Sequence, residues 1–237
     1  MENTIQKIQS ADWGNIADAM HQNGYAVIPN LLSEEQCEML KADYNHPDTY
    51  HKTVVMERYR FGLGEYKYFD YPLPDMIQTV RTAMYPYLAP IANTWFQLLH
   101  MDTRFPLAHH ELLQQCHAHK QEKATVLILK YSEGGFNTLH QDLYGAIYFP
   151  MQIVLMLSQP DEDFTGGEFV LTQQIPRAQS KAIVLKPNKA DALLFTTHSK
   201  PVKGSRGYYR VNMKHGISEV KSGNRYALGV IFHDALS

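Results

Sequence analysis

From Thr125 onward the chain breaks into short apolar, β-branched runs closed by Gly, Pro, Asn or Asp, and this cadence limits its fold more than any other feature. The runs cover residues 126–131, 152–157, 168–171, 182–185, 192–195, 208–213 and 226–232. Each is shorter than an ordinary helix, and the residues between them accept the backbone angles of tight turns. Many short strands with regular turn signals build a sandwich or barrel. Residues 125–237 are therefore expected to form a double-stranded β-helix, or jelly roll.

Residues 1–124 read as mainly helical support for that core, so the class is α+β and the 237 residues are expected to make a single domain. Trp13, Ile16, Ala17 and Met20 recur at helical spacing, with Ser10 as N-cap and Gly24 placed to end the helix. A short strand over 25–28 follows. Ser33 with Gln36 forms a capping box for a second helix running towards Tyr44, its Leu32 and Leu40 able to face the core. A helical region over 76–99 contains Pro86 and Pro90, which should kink or divide it because proline lacks the N–H and clashes with the preceding turn. Another short helix is expected around 111–116, and residues 61–74, rich in Gly, Tyr and Phe, read as a loop.

The charge balance, 22 basic against 24 acidic residues, leaves no global field to draw in nucleic acid or an anionic membrane. A local basic stretch runs from Pro176 to Arg225 and includes Lys200, Lys203, Arg206 and Arg210. It reads as either a solvated face or a surface for an anionic substrate. Two cysteines, Cys37 and Cys116, are too few for a disulfide framework. With a polar 1–10 segment and no apolar run long enough to span a bilayer, the expected address is cytoplasmic.

Three His-x-Asp triplets occur, at His46, His100 and His140, and only His140-Gln141-Asp142 lies among the expected strands. Residues i and i+2 of a strand project to one side, so such a pair can converge on a metal. Two histidines and one carboxylate cover one face of an octahedron and leave three positions open, the arrangement of non-haem iron(II) sites that must also take a co-substrate and dioxygen. For the third ligand His198 and His215 compete. His215 is favoured because it follows an alternating strand and precedes Arg225, whose planar fork suits the distal carboxylate of 2-oxoglutarate. The cluster His109, His110, Cys116, His117 and His119 lacks the paired spacing of a zinc site, and His233-Asp234 reads as a strand end.

His140-x-Asp142, Gly166-Gly167-Glu168-Phe169, His215-Gly216-Ile217-Ser218 and Gly223-Asn224-Arg225-Tyr226 resemble the core of the 2-oxoglutarate/iron(II) oxygenase superfamily, as does Asn23-Gly24-Tyr25-Ala26-Val27-Ile28. More narrowly, residues 64–69, 139–145 and 206–212 are similar to a prokaryotic family catalogued as oxygenases acting on damaged DNA. The resemblance implies iron(II) on His140, Asp142 and His215, 2-oxoglutarate on Arg225 with help from Tyr131, and dioxygen as the other co-substrate. Relatives commonly carry a hydroxyl two positions after the arginine. Here Ala227 stands there, which moves the second donor elsewhere and makes Tyr148 a candidate.

The substrate is left open by the sequence. For a modified nucleic acid the basic stretch would meet phosphates and Tyr66, Tyr68 and Phe69 would stack on a flipped base, with Arg210 beside them. For a peptide, as in prolyl hydroxylases, or for a small molecule, the 61–74 segment would act as a lid. A non-enzymatic jelly-roll binding module is disfavoured by the complete set of ligands and arginine. Tyr131, Tyr148 and Asn137 also have ordinary readings as core or turn residues.

Overall fold

The N-terminal caps direct the first elements of the computed structural model, which describes residues 2–143, 145–175 and 177–236. Tyr144 of the 139–145 motif and Pro176 at the head of the basic stretch lie outside the described residues. Asp12, not Ser10, caps the helix with the expected apolar spacing, its carboxylate accepting the Asn15 N–H at 3.1 Å. Ser10 instead closes α1 (Glu2–Ser10), and the capped helix is α2 (Trp13–Asn23). Gly24, at φ 81°, ends α2 in the left-handed conformation. The Ser33–Gln36 capping box is formed and starts α3 (Glu34–Asp43).

Helix α4 (Asp75–Leu98) runs unbroken through Pro86 and Pro90, against the expected kink or division. Both prolines sit on its exposed stripe, one turn apart. The lost hydrogen bonds therefore face water, where freed carbonyls are solvated or met locally, as Thr94 Oγ1 meets the Pro90 carbonyl at 2.9 Å. Helix α5 (His109–Ala118) follows. None of the described helices is long and apolar enough to cross a membrane.

Among the described residues fifteen strands complete the fold: β1 (Tyr25–Ile28), β2 (Tyr50–Val55), β3 (Gly62–Leu63), β4 (Glu65–Phe69), β5 (Leu127–Tyr131), β6 (Phe136–His140), β7 (Met151–Met156), β8 (Phe164–Gly166), β9 (Phe169–Gln174), β10 (Ser180–Leu185), β11 (Ala192–Thr196), β12 (Ser199–Gly204), β13 (Gly207–Ile217), β14 (Val220–Gly223) and β15 (Arg225–Ile231). One antiparallel sheet has the order β1-β11-β7-β15-β5-β4-β2 and the other β10-β9-β13-β6-β3, with β12 also paired to β13 and a small β14-β8 ribbon beside them. This is the jelly roll expected of the C-terminal half. The N-terminal half contributes more than helices, since β1, β2 and β4 are hydrogen-bonded into the first sheet. The segment read as a loop over 61–74 holds β3 and β4.

Alternation along the central strands of the first sheet separates two cores. Ile153 and Leu155 of β7 and Leu228 and Val230 of β15 turn to the helical side and pack with Leu88, Ala92 and Phe232. Met156, Ala227 and Tyr131 turn inward and pack with Leu171, Phe195 and Met213 between the sheets. His233-Asp234 is no idle strand end. Asp234 is fully buried and paired with buried Arg81 of α4 at 2.8 Å, and it also accepts from Tyr71 and bonds His117.

Candidate metal centre and co-substrate pocket

Strand pairing assembles the three ligand candidates. In the β13–β6 register His215 lies directly across from His140, and Asp142 follows two residues after β6 ends. The ligand atoms of His140, Asp142 and His215 all lie within 4.8 Å of one another. His140 Nε2 is 3.5 Å from Asp142 Oδ1, and His215 Nε2 is 3.4 Å from Asp142 Oδ2. His140 Nδ1 is 2.8 Å from the Thr138 carbonyl, which fixes the ring with Nε2 towards its partners. The Nδ1 of His215 is buried with no hydrogen-bond partner among the described residues. His198 lies on the turn before β12, half-buried beside Ser199, and takes no part in the group.

Burial acts to raise the Asp142 carboxyl, but the bond and charge of His215, the charge of His140 and the Gln152 amide outweigh it. The group is held well below the usual carboxylate range and is an anion at neutral pH. Burial, then the neighbouring His215, pushes His140 below its ordinary value, with Asp142 opposing, so its ring is neutral there. Two imidazoles and a carboxylate converge here, the ligand set of a 2-His-1-carboxylate centre. Among the described residues no other group of three ligand side chains comes together, which removes the zinc reading of residues 109–119.

The triad opens into a cavity of about 370 Å³ between the two sheets, and Arg225 is in its wall. Arg225 is only 1 % exposed. Its Nε donates to the Gly167 carbonyl at 2.9 Å and its Nη2 approaches Met156 Sδ at 3.4 Å, yet it forms no ion pair among the described residues. Burial lowers its pKa to about 10, so it keeps its charge at neutral pH. Gly167 stands at φ +61°, where a Cβ would lie 3.0 Å from Arg225 Cδ, so the Gly166-Gly167 turn lets the backbone close on the arginine. Buried Tyr131 lies beside it, 5.7 Å from ring centroid to guanidinium carbon, and accepts from Asn137 Nδ2 at 3.3 Å. Ala227 and Gly229, the next inward positions on β15, leave the space that larger side chains would fill.

Residues 64–235 match a family model described as an oxygenase catalysing oxidative methylation of damaged DNA. The chain belongs to this family. It is 44 % identical over 167 residues to an uncharacterized protein of Mycobacterium tuberculosis, covering 70 % of this chain and 72 % of that one. Among solved structures it shares its fold with a Pseudomonas putida prolyl-4-hydroxylase at a TM-score of 0.55 and 14 % identity, over 92 % of this chain and 97 % of that one. A 2-oxoglutarate/iron(II) oxygenase family member from Burkholderia pseudomallei gives 0.54 and 12 %, over 95 % and 93 %. What the chain shares with these two structures is its fold.

Not every residue singled out in this oxygenase reaches the cavity. Tyr66 and Tyr68 line it, whereas Phe69, on the opposite face of β4, is fully buried against Tyr50 in the helical core. Tyr148 is half-buried outside the cavity wall and is not placed to serve as a second donor beside Arg225. Arg210 is exposed near the middle of β13, its guanidinium on Met101 Sδ at 3.1 Å, and is also outside. Lys200 is buried, and its ammonium donates to the carbonyls of Gln22 at 2.6 Å and His21 at 3.3 Å, where it serves the end of α2 and no external anion.

Two glutamines escaped notice in the sequence. Gln152 of β7, 5 % exposed, donates to Asp142 Oδ2 at 2.9 Å. Gln141, the middle residue of the triplet, donates to the carbonyls of His198 at 2.9 Å and Met213 at 2.7 Å, tying the ligand turn to β13. Nothing in the local sequence marks Gln152, which meets Asp142 only through sheet pairing.

Proposed function

We propose that His140, Asp142 and His215 hold iron(II), that Arg225 with Tyr131 receives the distal carboxylate of 2-oxoglutarate, and that the substrate is a damaged base in DNA. One observation carries the co-substrate assignment: a buried, charged guanidinium with no carboxylate partner among the described residues faces the same cavity as the triad. Such a charge is costly until an anion meets it, and arginine's fork suits a carboxylate. The substrate class is supported by the description of the family.

Within this reading each side chain has a defined task. His140 presents a neutral imidazole nitrogen with His215 across from it, Asp142 supplies one negative charge, and Gln152 engages one carboxylate oxygen so that the other is free. Tyr131, its pKa raised to about 12 by burial, stays a phenol able to donate to an anion beside Arg225. The apolar wall of Leu127, Leu129, Val154 and Phe195 excludes water from the reacting atoms. Held by His140, Asp142 and His215, iron(II) would supply dioxygen activation, with one oxygen atom going to 2-oxoglutarate as it becomes succinate and carbon dioxide and the other to a hydroxyl on the substrate. Hydroxylation of an N-methyl carbon would release formaldehyde and restore the base.

The test is succinate formation with methylated oligonucleotides, peptides and metabolite pools offered separately. Coupled turnover with oligonucleotides, lost in Arg225→Ala and His140→Ala, is expected. Coupling to peptides alone would overturn the substrate class and leave the residue assignments intact.

A further inference from the structure

We infer that single-stranded DNA is held by an aromatic and cationic strip along β2, the turn after it and β4, and not by the basic 176–225 stretch. The inference rests on the substrate class proposed above. A second cavity, about 390 Å³, lies against the catalytic one, and Phe61, Tyr66 and Tyr68 form walls of both. His51, Lys52 and Tyr59 complete the outer wall.

Two ring pairs are already stacked there. His51 lies on Tyr68 at 5.8 Å between centroids and 19° between planes, and Tyr59 lies on Phe61 at 5.5 Å and 18°. Tyr59 and Phe61 are nonetheless 57 % and 46 % exposed, an uncommon use of large rings unless something flat covers them. Lys52, Arg58 and Arg60 are exposed on the same segment and form no ion pair among the described residues. The single acidic side chain on the turn, Glu57, is 3.4 Å from the Gly64 N–H. Lys52 lines the groove and Arg58 and Arg60 lie on the turn beside it, and stacking rings with cations along the path are the means by which proteins hold single strands. A base reaching the triad must leave its own stack, which favours a single strand at the mouth.

Three cations of the rival stretch, Lys200, Lys203 and Arg206, fail on position. Lys200 is buried. Lys203 and Arg206 flank the tip of the β12–β13 hairpin, and Arg206 is nine residues from His215. At about 3.3 Å per residue that is about 30 Å along β13 from the candidate metal centre.

The experiment is fluorescence anisotropy of a labelled single-stranded oligodeoxynucleotide on the full chain across a salt series, with thermal melting to confirm folding. Tyr59→Ala is expected to weaken binding roughly 5- to 150-fold, and Tyr59→Trp to retain it. Lys52→Ala/Arg58→Ala/Arg60→Ala should flatten the slope of log K against log salt by about 2, from about 0.7 per phosphate contact. Lys203→Ala/Arg206→Ala should change neither quantity. Loss of binding in the Lys203/Arg206 variant alone overturns the location and leaves the substrate class standing. Absence of oligonucleotide binding by the parent at low salt overturns both. Displacement by peptides in place of oligonucleotides would instead assign the exposed edge of β2 to a peptide strand, and refutes the inference.

Discussion

Replacing Arg225 with Met isolates the co-substrate assignment, because the side chain of similar length fills the wall while removing the charge. Two opposing effects act on the ligand-free protein. Burial lowers the arginine from 12.5 to about 10, so below that pH the fold bears about 3 kcal/mol for keeping it protonated in place. Removing it relieves that cost but leaves the buried Gly167 carbonyl without its 2.9 Å donor, a penalty of about 1–3 kcal/mol. The two nearly cancel, so the variant should remain folded with a melting temperature close to that of the parent. Binding is different. Truncating one partner of a desolvated charge pair costs about 2–5 kcal/mol, which weakens 2-oxoglutarate roughly 30- to 4,000-fold. Isothermal titration of 2-oxoglutarate in the presence of manganese(II) measures this directly. A folded variant whose affinity falls by less than a few-fold would show that another group holds the distal carboxylate.

Three further predictions follow from the same geometry. His140→Ala, Asp142→Ala and His215→Ala should each lose bound iron in metal analysis, whereas His198→Ala should retain it, and the reverse for the two histidines would reassign the third ligand. Gln152→Leu should weaken manganese(II) binding about 10- to 100-fold, the usual effect of removing a group that orients a metal ligand, while an unchanged titration would reduce Gln152 to a packing role. Burial, with Arg81 nearby, lowers His109 to about 4, so the folded state resists the proton that the unfolded chain accepts near 6.5. The His109 contribution is therefore absent above about pH 6.5 and should cost about 3 kcal/mol as pH drops to about 4, a share that His109→Gln should remove from pH-dependent denaturation curves while the share of His233, which burial also lowers to about 4, remains.

Local chemistry made several elements legible in the sequence. Ser33 and Gln36 are three residues apart and cap the same helix end, Gly24 needs no partner to stop α2, and the spacing of apolar runs after Thr125 is a property of the strands themselves. His140, Asp142, His215 and Arg225 were also legible, because each lies on or just beyond a strand whose alternation sets which way it faces. The same alternation was missed at Phe69, since residues 61–74 look like a loop until β4 is seen between β5 and β2. Its aromatics then divide, Tyr66 and Tyr68 to the cavity and Phe69 to the core.

Other features had no local signal at all. Lys200 reads as a surface cation, and only the packing of α2 against the β11–β12 turn buries its ammonium on the carbonyls of His21 and Gln22. Arg81 is one more charged residue on a helix until the end of β15 brings Asp234 to it across more than 150 positions. Gln152 meets Asp142, and Arg225 meets Gly167, only because sheets pair distant segments. Sequence alone determined which segments become strands and which side chains can bind a metal or a carboxylate, since propensity and donor chemistry belong to single residues and their near neighbours. Which of those groups share a cavity, and which charges are buried or left at the surface, was decided by the tertiary structure, because burial and pairing depend on segments that no local rule connects.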